Sequence, residues 1–161
     1  MVDRKYQAYY TKSATIVDYM VSLLELRGSE KVLDPCAGDG VFLDGLLQLY
    51  PDISIDALEL NEESTKGLIE KYKDCPNVKV RQTDSLNDSS LDLYSSMGGG
   101  YNAIIANPPY GAWREIEERK ELKKKFNGFY SKESYTLFLG HSINLLKEKG
   151  RLSFIIPDTW L

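Results

Sequence analysis

The tetrapeptide Asn107-Pro108-Pro109-Tyr110, called the proline strip below, is the segment of this sequence best suited to chemistry. It follows the apolar run at residues 103–106, which is typical of a central, buried strand. Two prolines stiffen the chain there and remove two backbone donors. The carbonyls of the Asn107 side chain and of Pro108 could each accept one hydrogen of an aromatic amine, while Tyr110 stacks on its flat ring. The strip therefore predicts a site that positions an amino nitrogen for attack, with a structural Pro-Pro turn as the alternative.

A second candidate site is the segment from Asp34 to Gly40, called the glycine loop below, which joins a strand to a helix. Glycine lets a backbone approach a ligand more closely than a side chain would allow. The loop lacks the third glycine of the dinucleotide fingerprint, because that position is Leu43. It predicts either a ligand cradle or a tight strand-to-helix turn.

Acidic residues follow the next two predicted strands. Glu59 could accept hydrogen bonds from both hydroxyls of a ribose, and the alternative is a solvated charge. Asp84 could accept a hydrogen from an adenine amino group, and the alternative is a turn-forming aspartate before Ser85. Together with the glycine loop, these acids at the ends of successive strands predict a nucleotide-type pocket.

The elements that must position these residues alternate along the chain. Strands are predicted at residues 31–33, 53–60, 78–80, 103–106 and 152–156, and helices at 13–27, 42–49, 62–73, 113–126 and 135–146. The pattern predicts an α/β fold with a mostly parallel sheet, helices on both faces and ligands at the carboxyl ends of the strands. Gly28 is predicted to end the first helix, and residues 95–100 to form a flexible loop. The apolar faces of the first three helices are predicted to contain Ile16, Met20, Leu23 and Leu24, then Phe42, Leu43, Leu46, Leu47 and Leu49, then Leu68, Ile69 and Tyr72.

Length and composition limit the class of protein. A chain of 161 residues suits one domain, here 1–161. No apolar run approaches the roughly 20 residues that span a bilayer, and the N-terminus has no apolar signal core, so we expect a cytoplasmic protein. Two cysteines are too few for a disulfide framework or a zinc site, and we expect no metal. The net charge of −4 has the wrong sign for a protein whose whole surface binds nucleic acid.

Several segments resemble one family. Residues 34–43 resemble the methyl-donor loop of amino-group DNA methyltransferases, and the proline strip resembles their catalytic motif. Tyr9-Tyr10-Thr11 and residues 16–20 resemble the preceding segment of the gamma-ordered, adenine-specific enzymes of restriction–modification systems, and residues 135–138 and 151–161 resemble their later motifs. The resemblance runs from about residue 6 to the last residue. It implies a Rossmann-like methyltransferase fold that uses S-adenosyl-L-methionine to methylate the exocyclic amino nitrogen of adenine in DNA.

The same resemblance implies residue roles. Thr11 is expected at the amino-acid end of the cofactor, Glu59 at its ribose and Asp84 at its adenine amino group. Leu60 and Phe138 are expected to pack on the adenine, with ordinary core packing as the alternative for either. The implied cofactor-binding residues are Thr11, Asp34, Cys36, Ala37, Gly38, Glu59, Leu60, Asp84, Ser85, Asn107 and Phe138. The implied catalytic residues are Asn107, Pro108, Pro109 and Tyr110.

The family resemblance also implies segments that this chain does not contain. The family sheet has seven strands and is followed by a target-recognition domain, whereas this sequence reaches strand five. An exposed strand-five edge around Phe154 would favour self-association or a specificity subunit as partner. DNA binding is then expected to be weak, and the basic residues Arg119, Lys120, Lys123, Lys124, Lys125 and Lys132, with Trp113, Phe126, Phe129 and Tyr130 nearby, could contact phosphates. The alternative for that group is the solvated face of a surface helix.

Two further functions fit the same motifs. A proline strip of this kind could serve an RNA-adenine or protein-glutamine N-methyltransferase. The chain could also be a non-catalytic, S-adenosylmethionine-binding remnant that acts only with a partner subunit.

Overall fold

The computed structural model of the protein describes residues 11, 13–111, 116–127 and 133–158, and the statements below concern those residues. Helices and strands alternate along them almost throughout. They are α1 (Ala14–Ser22), β1 (Lys31–Asp34), α2 (Val41–Leu49), β2 (Ser54–Glu59), α3 (Glu62–Lys71), β3 (Val78–Gln82), α4 (Ser89–Ser96), β4 (Tyr101–Ala106), α5 (Ile116–Lys125), α6 (Ser134–Leu145) and β5 (Leu146–Phe154).

The strands form one parallel sheet in the order β3-β2-β1-β4-β5. The chain moves outward from β1 to β3, then returns to the other side of β1 with β4, so the strand order switches direction between β1 and β4. In sheets of this kind ligands bind beyond the carboxyl ends of the strands, at that switch. The predicted α/β, Rossmann-like architecture is confirmed.

Strand β4 is central, as the sequence predicts. Residues 103–106 are fully buried. Ala103 and Ile105 lie in one core cluster and Ile104 in another, while β1 and β5 pair with the two sides of the strand. Its last residue, Ala106, leads directly into the proline strip. The strip therefore begins at the carboxyl end of an interior strand. The glycine loop begins at the carboxyl end of the neighbouring strand β1, on the same side of the sheet.

The predicted helix faces are only partly correct. Ile16 and Leu23 are each 46% exposed, Leu49 is 51% and Ile69 is 52% exposed. The buried face of α1 is instead formed by Val17, Met20 and Val21, followed by Leu24 just beyond the helix. The helix ends at Ser22, so Gly28 is not its C-cap. Helical periodicity thus identified these three helices and most of their buried residues, but it wrongly assigned Ile16, Leu23, Leu49 and Ile69 to the buried faces.

Helix α4 is absent from the sequence prediction, which has a flexible loop over its last two residues. Asp88 initiates the helix, because its carboxylate accepts hydrogen bonds from the N–H groups of Ser90 and Leu91. Leu91 is the only residue of α4 that is buried, so the helix carries almost no apolar periodicity. Strand β5 is also longer than predicted and begins at Leu146, directly after α6.

Within the described residues, β5 pairs with β4 alone and so forms one edge of the sheet. The expected self-association through that edge stays a prediction. None of the helices in the described part of the chain has the length and apolar character needed to cross a membrane.

Candidate functional site

The glycine loop begins with a buried acid. Asp34 is fully buried, and its Oδ1 accepts a hydrogen bond of 3.1 Å from the Cys36 N–H. Its Oδ2 has no hydrogen-bond partner among the described residues. Burial raises the pKa of Asp34 to about 8, and the negative charge of Glu59 adds to this rise. A buried oxygen without a partner is costly, so it needs either a proton or a cationic group beside it.

Glu59, at the end of β2, holds the glycine loop from the side. One carboxylate oxygen accepts from the Gly38 N–H at 2.8 Å, and the other accepts from the Asn61 N–H at 2.7 Å. The Ala37 N–H donates to the Leu58 carbonyl at 2.8 Å. Each carboxylate oxygen can accept more than one hydrogen bond, so Glu59 can also bind hydroxyl groups of a ligand.

Helix α3 braces the other end of the loop. Gly40 has a φ of +82°, and a Cβ placed there would lie 2.7 Å from the Tyr72 hydroxyl oxygen. That hydroxyl donates to the Gly40 carbonyl at 2.8 Å and lies 2.7 Å from Asp44 Oδ1, while Lys71 forms an ion pair with Asp44 at 2.6 Å. The sequence indicated Tyr72 only as an apolar anchor. Its buried hydroxyl is the missed signal, because such a group requires a polar partner.

The loop after β3 connects to the glycine loop through Ser85. The Ser85 hydroxyl is buried and donates to the Pro35 carbonyl. The carboxylate of Asp84 accepts from the Leu86 N–H at 3.2 Å and from the Asn87 side chain at 2.7 Å. Asp84 thus organises a turn at the rim of the site, and the Ser85 hydroxyl is already used by the protein itself.

The amide of Asn107 is oriented by two neighbours. Its Oδ1 accepts a hydrogen bond of 2.7 Å from the Tyr110 hydroxyl, and its Nδ2 donates to Thr11 Oγ1 at 3.1 Å. The Tyr110 hydroxyl also lies 3.2 Å from the Ile155 carbonyl. In the strip, Pro108 is buried and Pro109 half-buried. Thr11 thus contacts the proline strip, whereas the sequence placed it only against the cofactor.

The proline strip and the glycine loop meet at Cys36. Burial, together with the charges of Asp34 and Glu59, raises the pKa of the Cys36 thiol well above its usual value, and a hydrogen bond from the Asn107 backbone offsets only part of this rise. The thiol therefore stays protonated, which suits a packing residue and not a nucleophile. Cys36 packs against a cluster that contains Phe138, which is 6% exposed.

The structure thus joins four strand ends through direct contacts. Those contacts involve the predicted site residues Asp34, Cys36, Ala37, Gly38, Glu59, Ser85 and Asn107. Leu60 is 43% exposed at the rim, and Phe138 lies in a core cluster with Leu86, Leu122 and Leu137. Predicted features at Tyr9, Tyr10, Trp113, Phe129, Tyr130 and Lys132 lie outside the described residues.

Only some of the basic residues on α5 are exposed and not already paired with another group of the protein. Lys123 and Lys124 are exposed, and Lys120 pairs with Glu117 at 2.8 Å. Lys125 pairs with Asp92 at 2.7 Å and donates to the Leu86 carbonyl at 2.7 Å. The exposed basic face of α5 is therefore smaller than the sequence indicates.

Known proteins resemble this chain in sequence and in fold. M.AccI, a type II methyltransferase of Acinetobacter calcoaceticus, is 30% identical over 165 residues, which cover 98% of this chain but 29% of that protein. A type I restriction enzyme modification subunit from Vibrio vulnificus YJ016 superposes with a TM-score of 0.70 at 18% identity, covering 91% of this chain and 32% of that one. Coclaurine N-methyltransferase, solved with N-methylheliamine and SAH, superposes with a TM-score of 0.58 at 16% identity, covering 90% of this chain and 38% of that one.

The model of the Eco57I restriction-modification methylase family matches residues 6–161, nearly the whole chain. The chain spans less than a third of the length of M.AccI, so what it shares with that relative is one part of a larger protein. The resemblance read from the glycine loop and the proline strip is confirmed, and the chain belongs to the Eco57I restriction-modification methylase family.

Proposed function

We propose that this chain transfers a methyl group from S-adenosyl-L-methionine to the exocyclic amino nitrogen of adenine in DNA. The observation that carries the proposal is the oriented amide of Asn107, which lies at the end of a central strand and against the glycine loop. Family membership supports methyl transfer in restriction–modification.

The residues of the glycine loop fit the proposed cofactor, which supplies an electrophilic methyl group on a sulfonium. Asp34 Oδ2 is buried without a partner among the described residues, and a cationic amino group would satisfy it. The carboxylate of Glu59 can accept ribose hydroxyls while it continues to hold the Gly38 N–H. Leu60, exposed at the rim, offers an apolar surface for an adenine ring.

Asn107 would orient the target amine. In the structure Oδ1 of the carboxamide faces the Tyr110 hydroxyl and Nδ2 faces Thr11 Oγ1, so Oδ1 is presented from a defined direction. This oxygen and the Pro108 carbonyl are suited to accept the two amine hydrogens, which would direct the nitrogen lone pair at the donor methyl. As the nitrogen–carbon bond forms, the carbon–sulfur bond of the donor would break, S-adenosylhomocysteine would leave and the amine would lose one proton to water. Such a step depends on positioning and on hydrogen bonding, so it needs no group of perturbed pKa on the strip.

A base inside a duplex cannot reach this strip, so the proposed substrate is a flipped-out or single-stranded adenine. The exposed lysines of α5, Lys123 and Lys124, are suited to contact neighbouring phosphates. Two such contacts give weak, salt-sensitive binding without sequence specificity. Target selection by this chain is therefore proposed to need a recognition domain or specificity subunit.

Calorimetry with S-adenosylhomocysteine tests the cofactor site. Glu59→Ala should weaken binding at least tenfold, because it removes both the ribose acceptor and the group that holds the Gly38 N–H. Glu63→Ala is the matched control, since Glu63 is an exposed acid in the first turn of the neighbouring helix. Equal affinities for wild type and Glu59→Ala, or no binding by wild type, would contradict the proposed site.

Methyl transfer from labelled donor tests the target. Wild-type chain should label single-stranded DNA that contains adenine, and Asn107→Ala should lose at least a hundredfold in rate. Adenine-free DNA is the control substrate. Labelling of RNA or of a glutamine peptide in preference to DNA would overturn the proposal, as would donor binding without transfer to any substrate.

A further inference from the structure

Gly111, the residue that follows the proline strip, is held by hydrogen bonds from the start of helix α6. Gly111 has a φ of +90°, and the first turn of α6 uses both of its backbone polar groups. The Gly111 N–H donates to Glu133 Oε2 at 2.8 Å. The Gly111 carbonyl accepts from the Ser134 N–H at 3.1 Å and from the Ser134 hydroxyl at 2.9 Å. We call these three hydrogen bonds the Gly111 clamp.

The Ser134 N–H, at the first position of α6, needs an acceptor outside the helix and finds it in Gly111, but the Glu133 bond is not explained by capping of the helix. Glu133 is the N-cap residue of α6, yet its side chain makes no capping hydrogen bond. Glutamate is also not among the side chains preferred at an N-cap. The Thr136 hydroxyl instead bonds back to the Glu133 carbonyl at 2.7 Å. The Glu133 carboxylate therefore acts on Gly111, 22 residues earlier in the chain.

The clamp lies one residue from the group that orients Asn107. Tyr110 directly precedes Gly111, and its hydroxyl donates to Asn107 Oδ1 at 2.7 Å. The ring of Tyr110 meets Tyr135, the residue after the clamp serine, edge to face with centroids 6.1 Å apart. The clamp and this ring contact thus fix both the backbone after Tyr110 and the ring that carries the hydroxyl.

We propose that Glu133 and Ser134 are positioning residues for the proline strip: through Gly111 and Tyr110 they set the direction in which the Asn107 carbonyl points. This inference rests on the proposed function and adds to it two residues outside the strip. The same helix also places Phe138, one turn further on, in the cluster against which Cys36 of the glycine loop packs. Helix α6 therefore contacts both the proline strip and the cluster beside the glycine loop.

A positioning role predicts a particular kinetic pattern. Loss of the clamp should leave the glycine loop intact, because no clamp hydrogen bond reaches it. The affinity for S-adenosylhomocysteine should then stay within about twofold of wild type. The turnover number for methyl transfer should fall about 10- to 100-fold, because small misplacements of a reacting group cost rates of that order.

The test compares Glu133→Ala, Glu133→Gln and Ser134→Ala with the surface control Glu63→Ala. Hydrogen exchange of the Gly111 amide reports directly on the clamp and does not depend on activity. We expect exchange at least tenfold faster in Glu133→Ala and near wild type in Glu133→Gln, since a carboxamide oxygen still accepts the N–H. The turnover number should follow the same order, and Ser134→Ala, which keeps the Glu133 bond, should show a smaller loss.

The outcomes separate this inference from the proposed function. Unchanged exchange in Glu133→Ala would overturn the clamp, and faster exchange with an unchanged turnover number would overturn the positioning role alone. If affinity for S-adenosylhomocysteine fell together with the turnover number, the effect would be a general structural one, and the positioning role would also be overturned. If the wild type binds S-adenosylhomocysteine but methylates no substrate, the proposed function fails and the inference fails with it. Circular dichroism and Ser134→Ala guard against misfolding of Glu133→Ala.

Discussion

The glycine loop and the proline strip both lie at the carboxyl ends of the strands, but they are held in different ways. The glycine loop is fixed mainly by groups on the next strand and helix: Glu59 at one end and Tyr72 at the other. The proline strip depends on partners spread over the chain. Asn107 contacts Thr11, 96 residues away, and Tyr110 contacts Ile155, 45 residues away.

This difference indicates how each half of the site responds to change. The glycine loop is built from backbone hydrogen bonds and a buried acid, so its mutations should act first on folding stability. The proline strip is oriented by side-chain hydrogen bonds at its surface, so its mutations should act first on geometry. Substitutions at Gly40, Asp34 and Tyr110 test that division, and the expected change in stability decreases in that order.

Gly40→Ala should be the most destabilising of these changes. A side chain at a φ of +82° is strained, and its Cβ would lie 2.7 Å from the Tyr72 oxygen and 2.8 Å from Leu68 Cδ2. We expect the free energy of unfolding to fall by about 2–4 kcal/mol, measured by urea denaturation. Gly28→Ala is the matched control, because Gly28 has a φ of +100° but nothing within 4 Å of the added Cβ. It should lose about 1 kcal/mol, and equal losses would contradict the crowding at Gly40.

Asp34→Asn should change how stability depends on pH. Because burial raises the pKa of Asp34 to about 8, the native state keeps a proton that the unfolded chain has already lost. Stability should therefore be highest at low pH and fall as pH rises toward 8, by up to about 1.4 kcal/mol per pH unit. Between pH 6.5 and 8 the wild type should lose about 1.6 kcal/mol more than Asp34→Asn, since the group is half-titrated at pH 8.

Urea titrations of both proteins at several pH values measure that difference. Burial lowers the pKa of His141, so that group acts in the opposite direction at acid pH, but it is present in both proteins and cancels. Parallel stability curves for wild type and Asp34→Asn would show that Asp34 is charged in the native state.

Tyr110→Phe should have the smallest effect on stability. It removes the hydroxyl that donates to Asn107 Oδ1 but keeps the ring that packs on Tyr135. We expect thermal unfolding to show a loss of about 1 kcal/mol, typical of one hydrogen bond. Tyr94→Phe, whose hydroxyl makes a longer bond of 3.3 Å to the Gly100 carbonyl, should lose less. A loss at position 110 larger than that at Gly40 would contradict the division between the two regions.

Much of this fold was predictable from local pattern. Strand-like apolar segments alternate with helical segments along the chain, and this alternation identified the five strands. The fully apolar run before Asn107 identified the buried strand β4. Helix α4 could not be predicted in this way, since only Leu91 of its residues is buried and a side-chain cap at Asp88 begins it. Ile16 and Ile69 were wrongly predicted to be buried. Which apolar residues of a helix are buried depends on how the helix packs against the sheet and its neighbours.

By itself, the sequence determined which residues follow each strand, and therefore which of them share the ligand-binding edge of a parallel sheet. It predicted Asp34, Glu59 and Asn107 at the ends of their strands because residue type and position relative to a strand are local properties. The tertiary structure alone decided that Tyr72 braces the glycine loop and that Glu133 and Ser134 hold Gly111. Those contacts join segments distant in the chain, and a hydrogen bond between them forms only once packing has brought its two partners together.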